Sequence, residues 1–181
     1  MEAIKCIKER RSIRKFKADL VSKETINEIV EAAAYAPSWK NTQITRYTVI
    51  EDAELKAKIA DDCVLLFKYN SNTIKAAPQL VVVSYITGRS GYEKDGSYTT
   101  SKEDRWESFD AGIATQTFCL AAHDKGVGTV ILGIFDEAAV AELVELPENQ
   151  KVAALVAMGY GEGEAPEAPK RKEVEDLLTY K

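Results

Sequence analysis

Histidine is nearly absent from this 181-residue chain: His123 stands alone, so no His pair or H-x-x-x-H spacing exists from which a His-based transition-metal site is assembled. A Ser-His-Asp triad would have to recruit that same residue, and no G-x-S-x-G elbow accompanies it. The three cysteines, Cys6, Cys63 and Cys119, are odd in number and far apart. They build neither a disulfide framework nor a zinc ribbon, and they suit a reducing cytoplasm. No apolar run nears the roughly 18 residues of a membrane span; the longest are Leu80 to Val83 and Val152 to Met158. The start, MEAIKCIKERR, lacks the apolar core of a signal peptide. Positive charge is also in deficit, with Lys+Arg 24 against Asp+Glu 29 and a net charge of −5. A phosphate backbone or an anionic membrane surface therefore meets net repulsion, and any anion site must be local. These absences predict a cytoplasmic protein with neither nucleic acid nor membrane as partner.

What is present is the composition of one ordinary folded domain over 1–181, with 45% hydrophobic and 29% charged residues. Ser22 reads as an N-cap for a helix over 22–35, in which Ile26, Ile29, Val30 and Ala33 recur at helical spacing until Pro37. A shorter amphipathic helix covers 2–9 with Ile4 and Ile7 inward, and another spans 52–61. Strands are expected at Tyr47 to Ile50, Leu80 to Ile86, Gly128 to Leu132 and Val152 to Met158. The second, with three consecutive valines, fits a sheet buried on both faces. Residues 88–104 form a long polar loop, a candidate lid. Ser101 and Asp104 then resemble a capping box for a central buried helix, continued by Trp106, Phe109, Ile113, Thr117 and Leu120 until Gly126. Asp136 caps a last helix reaching about Glu145.

Chemistry concentrates in two segments. Glu9-Arg10-Arg11-Ser12-Ile13-Arg14-Lys15-Phe16-Lys17 is a dense cationic cluster in an acidic protein, and guanidinium forks with a hydroxyl between them suit a phosphate dianion. A solvated basic turn would have the same composition. Pro37-Ser38-Trp39-Lys40-Asn41-Thr42-Gln43 gathers amides and hydroxyls able to read the edge of a heteroaromatic ring, and is equally a set of turn formers. Gly126-Val127-Gly128-Thr129 follows a helix rather than a strand, so it is no dinucleotide fingerprint, and no P-loop exists.

In order and spacing these segments resemble the FMN-dependent nitroreductase family over nearly the whole chain. Arg10, Arg11, Ser12 and Arg14 match its R-R-S-x-R motif, which contacts the phosphate, ribityl chain and ring edge of FMN. Pro37, Ser38, Asn41 and Gln43 match P-S-x-x-N-x-Q, which reaches the flavin of the other subunit. Ile131, Leu132 and Gly133 match the backbone near the ring, and Asn70 an asparagine near the pyrimidine, with Thr73 where some members carry lysine. Lys170 and Arg171 match a closing cationic stretch that returns to the phosphate. The chain departs from the family at Ile44 and Thr45, where Pro-Trp is usual, and at Val130 and Ile131, where many members have Cys-Trp. The resemblance implies an α+β fold, a mainly antiparallel sheet flanked by helices. It implies a homodimer whose arm, 164–181, exchanges a strand onto the partner's sheet. It further implies ping-pong hydride transfer from NAD(P)H through FMN to nitroaromatic, quinone or related small-molecule acceptors, with no catalytic side chain. The alternatives are a reductive dehalogenase or flavin-consuming enzyme on the same fold, or a nonenzymatic FMN-binding module.

Overall fold

The computed structural model describes residues 2–181. Four strands, β1 (Thr45–Ile50), β2 (Gln79–Ile86), β3 (Gly128–Leu132) and β4 (Gln150–Gly159), form one antiparallel sheet in the order β1-β2-β4-β3. Six α-helices flank it: α1 (Ala3–Glu9), α2 (Lys23–Ala33), α3 (Ala53–Asp62), α4 (Lys68–Ala76), α5 (Arg105–Asp124) and α6 (Glu137–Leu143). The side-chain alternation of β2 divides the core. Leu80 and Val82 pack with Ile59, Ile74 and Val140 on one face, whereas Val81 and Val83 pack with Ile29, Phe118 and Met158 on the other. The α+β, mainly antiparallel expectation therefore holds, as does burial of the valine-rich strand on both faces. No helix among the described residues is long and apolar enough to cross a membrane.

Local signals act where expected at two caps. The hydroxyl of Ser22 accepts from the Thr25 N–H at 3.2 Å, and the Asp136 carboxylate from the Ala139 N–H at 3.1 Å. The capping box before α5 does not form, because Asp104 makes no side-chain cap bond. Helix α5 does not bury its bulky stripe most deeply. It buries Glu107, Asp110, Ala111, Ala114, Thr115, Phe118, Cys119 and Ala122, while Phe109 is 50% exposed. Small residues let the helix lie close on the sheet and on α2, while of the bulky stripe Phe109 is exposed and Trp106, Ile113, Thr117 and Leu120 are half-buried. Likewise α1 turns Cys6 inward and leaves Ile4 and Ile7 64% and 53% exposed, contrary to their expected burial. Helix α4 had no counterpart in the sequence reading; it lacks a side-chain cap and follows two left-handed residues, Leu65 (φ 50°) and Leu66 (φ 61°). Beyond Gly161 the chain is exposed, with a single 3₁₀ turn at Val174–Asp176 and no strand.

Candidate active site

The cationic segment is held as an extended strip along the sheet. The Ile13 N–H donates to the Thr129 carbonyl at 3.0 Å, the Lys17 N–H to Tyr160 at 2.9 Å, and the Glu162 N–H to Lys15 at 3.0 Å. Two glycines make room for it. A Cβ on Gly128 would stand 2.9 Å from Cβ of Ile13, and one on Gly159 would stand 3.1 Å from the Phe16 ring and 2.6 Å from Pro78. Beside the strip lies a cavity of about 670 Å³, whose lining includes Ser12, Arg14, Lys15, Tyr69, His123 and Gly128. That volume lies within the range of small-molecule sites.

The four residues of the arginine motif do not behave alike. Arg14 lies with its guanidinium carbon 5.6 Å from the centre of the Tyr69 ring, a cation–π contact on the cavity wall. Arg11 instead folds back, donating to the carbonyls of Lys8 at 2.6 Å and Arg10 at 2.9 Å at the end of α1. Nε of Arg10 and Nε2 of His123 are buried with no hydrogen-bond partner. Burial first, and then the Arg10 cation, holds the His123 imidazole below its ordinary pKa. Asn70 is buried and donates to the Ile134 carbonyl at 3.2 Å, fixing the chain just after Ile131, Leu132 and Gly133. Of these three, Leu132 is core, Ile131 is exposed, and nothing lies within 4 Å of a Cβ built on Gly133. Thr73 is buried and bonded to the Tyr69 carbonyl at 2.8 Å. Lys170 and Arg171 are exposed, and Arg171 bonds only its neighbour, the Pro169 carbonyl, at 3.2 Å.

The second motif is a tight loop around a 3₁₀ turn at Trp39–Asn41. Three non-glycine residues take left-handed backbone, Lys40 (φ 44°), Asn41 (φ 57°) and Gln43 (φ 48°). The Ser38 hydroxyl accepts from the Gln43 N–H at 3.0 Å, and the Gln43 amide donates to that of Asn41 at 3.2 Å. Pro37, Ser38 and Gln43 border a separate groove of about 550 Å³ that also involves Ile26, Val30 and Tyr47. The loop sits at the N-terminal half of α5, where Asp110 accepts from the Trp39 N–H at 2.9 Å. The cationic strip sits at the other end, where the Cys6 thiol donates to the Leu120 carbonyl at 3.4 Å. At ~1.5 Å per residue, Asp110 and Leu120 are about 15 Å apart along the helix. One chain therefore brings together Ser12, Arg14 and Tyr69, and separately Ser38, Asn41 and Gln43, but not the two groups.

Sequence reasoning did not find Tyr69, Glu107 or Asp110, and it saw His123 only as a lone histidine. The two acids had a visible signal: carboxylates three apart, on what proves to be the buried face of a largely apolar helix, need internal donors. Glu107 accepts from the N–H groups of Gly88 at 2.6 Å and Arg89 at 3.3 Å, and burial pushes its pKa up. The 88–104 loop is thus clasped to α5 at its start, and Tyr92 and Tyr98 pair across its tip with ring centres 4.9 Å apart.

The Nitroreductase family model matches residues 7–160 of this chain. A protein of Archaeoglobus fulgidus named NADH dehydrogenase/NAD(P)H nitroreductase is 31% identical over 167 residues, covering 90% of this chain and 87% of that one. An iodotyrosine deiodinase of Thermotoga neapolitana is 24% identical over 178 residues and covers 96% of each chain. Among solved structures, a nitroreductase family protein of Clostridium novyi NT superposes with a TM-score of 0.76 at 30% identity, covering 90% of this chain and 86% of its own. An oxidoreductase containing FMN superposes with a TM-score of 0.72 at 27% identity, covering 88% and 77%.

Proposed function

Because the chain belongs to the nitroreductase family, we propose that it is an NAD(P)H-dependent oxidoreductase that holds FMN and reduces nitroaromatic, quinone or related small-molecule acceptors. The observation that carries this reading is the cationic strip, seated by Gly128 and Gly159 against a cavity of about 670 Å³.

The residues present fit FMN. Arg14, Lys15 and the Ser12 hydroxyl border the cavity, and the buried, unpartnered Nε of Arg10 is a donor lacking an acceptor. A phosphate would supply one, at roughly 1.5 to 3 kcal/mol for each charge-assisted bond. Asn70 holds the backbone of 131–134 in place, so that Ile131, Leu132 and Gly133 would stand beside the ring. Gly133 leaves that backbone open to close approach. When bound, FMN would supply the hydride-transfer chemistry that links NAD(P)H to an acceptor, in a ping-pong order. The protein's part is to hold the ring with one face open, so no acid, base or nucleophile is required of it.

Two chains complete the site in this reading. Their place at the opposite end of α5 from the strip leaves Ser38, Asn41 and Gln43 to serve a partner's flavin. Ile4 and Ile7 on α1 and Phe109 on α5 are exposed, and large apolar side chains left outward in this way suit an obligate homodimer. Strand β1 is a sheet edge next to the 550 Å³ groove. It would receive the partner's arm through Leu177, Leu178 and Tyr180, exposed in a single chain, with Lys170 and Arg171 brought to the phosphate. The deiodinase relative keeps reductive dehalogenation as a second reading.

A fluorescence titration with FMN, followed by steady-state reduction of a panel of nitroaromatic, quinone and halogenated phenol acceptors, tests the reading. Tight FMN binding with turnover of nitro or quinone acceptors supports it. Turnover confined to halogenated phenols selects the second reading, and FMN binding without any NAD(P)H-driven turnover would leave only a binding module.

A further inference from the structure

The carboxylate of Asp110 is only 3% exposed, yet none of its partners is near it in sequence. Oδ2 accepts from the Trp39 N–H at 2.9 Å and from the Ser90 hydroxyl at 2.6 Å. Ser90 is fully buried, and its oxygen lies 2.8 Å from the Thr42 hydroxyl. A chain of hydrogen bonds thus runs from Trp39 through Asp110 and Ser90 to Thr42, joining both ends of the turn in the 37–43 loop to the 88–104 loop. Further contacts lie alongside. The Trp39 and Trp106 rings stand 5.0 Å apart, and Lys40 pairs with Glu93 at 3.2 Å. The 37–43 loop is in special need of such ties, since left-handed backbone at Lys40, Asn41 and Gln43 persists only where the surroundings enforce it.

We propose that Asp110 is a positioning residue that binds the cofactor-reading loop and the acceptor-side loop into one unit, so that ordering either loop orders the other. The inference rests on the proposed role of 37–43 at the flavin for its functional consequence, but the tie itself lies within one chain. Coupling between sites is reciprocal. FMN held by the 37–43 loop must therefore stabilise 88–104, and loosening 88–104 must weaken FMN. The acceptor-side loop would sense occupancy of the flavin site through a single buried carboxylate.

Ser90→Ala is the informative variant, because it removes the link from the 88–104 side and alters no residue assigned to FMN. Limited trypsin digestion of the full-length protein reports each loop separately, through the exposed sites Lys40, Arg89 and Lys102. In the cofactor-free protein, Ser90→Ala should speed cleavage after Lys40 as well as after Arg89. FMN should slow cleavage at Arg89 and Lys102 in the wild type by at least about fivefold, the lower end of typical couplings. In Ser90→Ala that protection should fall toward unity while the FMN Kd rises by a similar factor. Asp110→Ala should do the same, and Asp110→Asn, which keeps an acceptor oxygen, should lie between it and the wild type. The proposal is overturned if Ser90→Ala leaves cleavage after Lys40 at the wild-type rate, or if both Ser90→Ala and Asp110→Ala keep FMN affinity and protection within twofold. A wild-type protein that binds no FMN would sink the cofactor reading instead, and the Lys40 result would still decide the tie.

Discussion

Gly128→Ala is the substitution whose effect follows most directly from geometry. The added methyl would lie 2.9 Å from both Cβ and Cγ1 of Ile13 and 3.0 Å from its Cγ2. Ile13 is branched at the crowded atom, so no rotamer change relieves the contact, and the strip carrying Ser12 and Arg14 must move off β3. Overpacking of this kind costs about 1–3 kcal/mol. Stretching the neighbouring 3.0 Å bond from the Ile13 N–H to Thr129 adds about 1 kcal/mol. At roughly 2–4 °C per kcal/mol for a chain of this size, the cofactor-free Tm should fall by about 5–15 °C. FMN affinity should fall as well, since the displaced strip is the proposed phosphate site. Thermal unfolding followed by circular dichroism and an FMN fluorescence titration read the two effects. Gly133→Ala, with open space around its Cβ, should leave the cofactor-free Tm unchanged. Trimming the obstacle with Ile13→Ala should restore part of the loss in Gly128→Ala. If Gly128→Ala melts within about 1 °C of the wild type and binds FMN normally, the strip is not seated as described.

Arg10→Ala and Arg14→Ala should each weaken FMN by about 10- to 150-fold, the equivalent of one charge-assisted bond of ~1.5–3 kcal/mol; near wild-type affinity in the double variant would reject the phosphate site. Deleting everything after Pro169 should convert the dimer to monomer in sedimentation and lower FMN affinity, whereas an unchanged dimer would make the arm a passive tail. His123 carries a pH signature. Burial, then the Arg10 and Arg11 cations, depress its folded pKa below 6.5 against the opposing pull of Glu9 and Asp124. Its neutral form is therefore favoured by folding, and the stability it contributes is present above pH 6.5 and lost as pH falls through the depressed value. The cofactor-free Tm of the wild type should accordingly drop more between pH 7 and pH 5 than that of His123→Gln, and parallel curves would show the imidazole to be freely solvated.

Legibility in the sequence tracked the range of the interactions involved. The Ser22 and Asp136 caps and the valine run of β2 are set within a few residues and could be read directly. Helix α4 begins without a capping side chain and its polar run KYNSNTIKA has no clear stripe, so it exists because Ile74 finds the core. On α5, the large apolar residues do not mark the buried face: close packing there uses alanine, and Trp106 packs sideways on Trp39 instead. The arginine cluster was visible as composition, but what seats it is the absence of side chains at Gly128 and Gly159, two positions more than a hundred residues away. Asp110 was hidden for the same reason, its partners Trp39 and Ser90 lying 71 and 20 residues off.

The central claim is that this fold holds FMN for NAD(P)H-driven reduction, and one measurement meets it directly. The purified protein is loaded with FMN, freed of excess by gel filtration, and mixed anaerobically with NADH or NADPH while its visible spectrum is recorded. The flavin should remain with the protein, its yellow absorbance should bleach, and a nitroaromatic or quinone should then restore it. A protein that emerges colourless, or that stays yellow with either nicotinamide, would contradict the assignment.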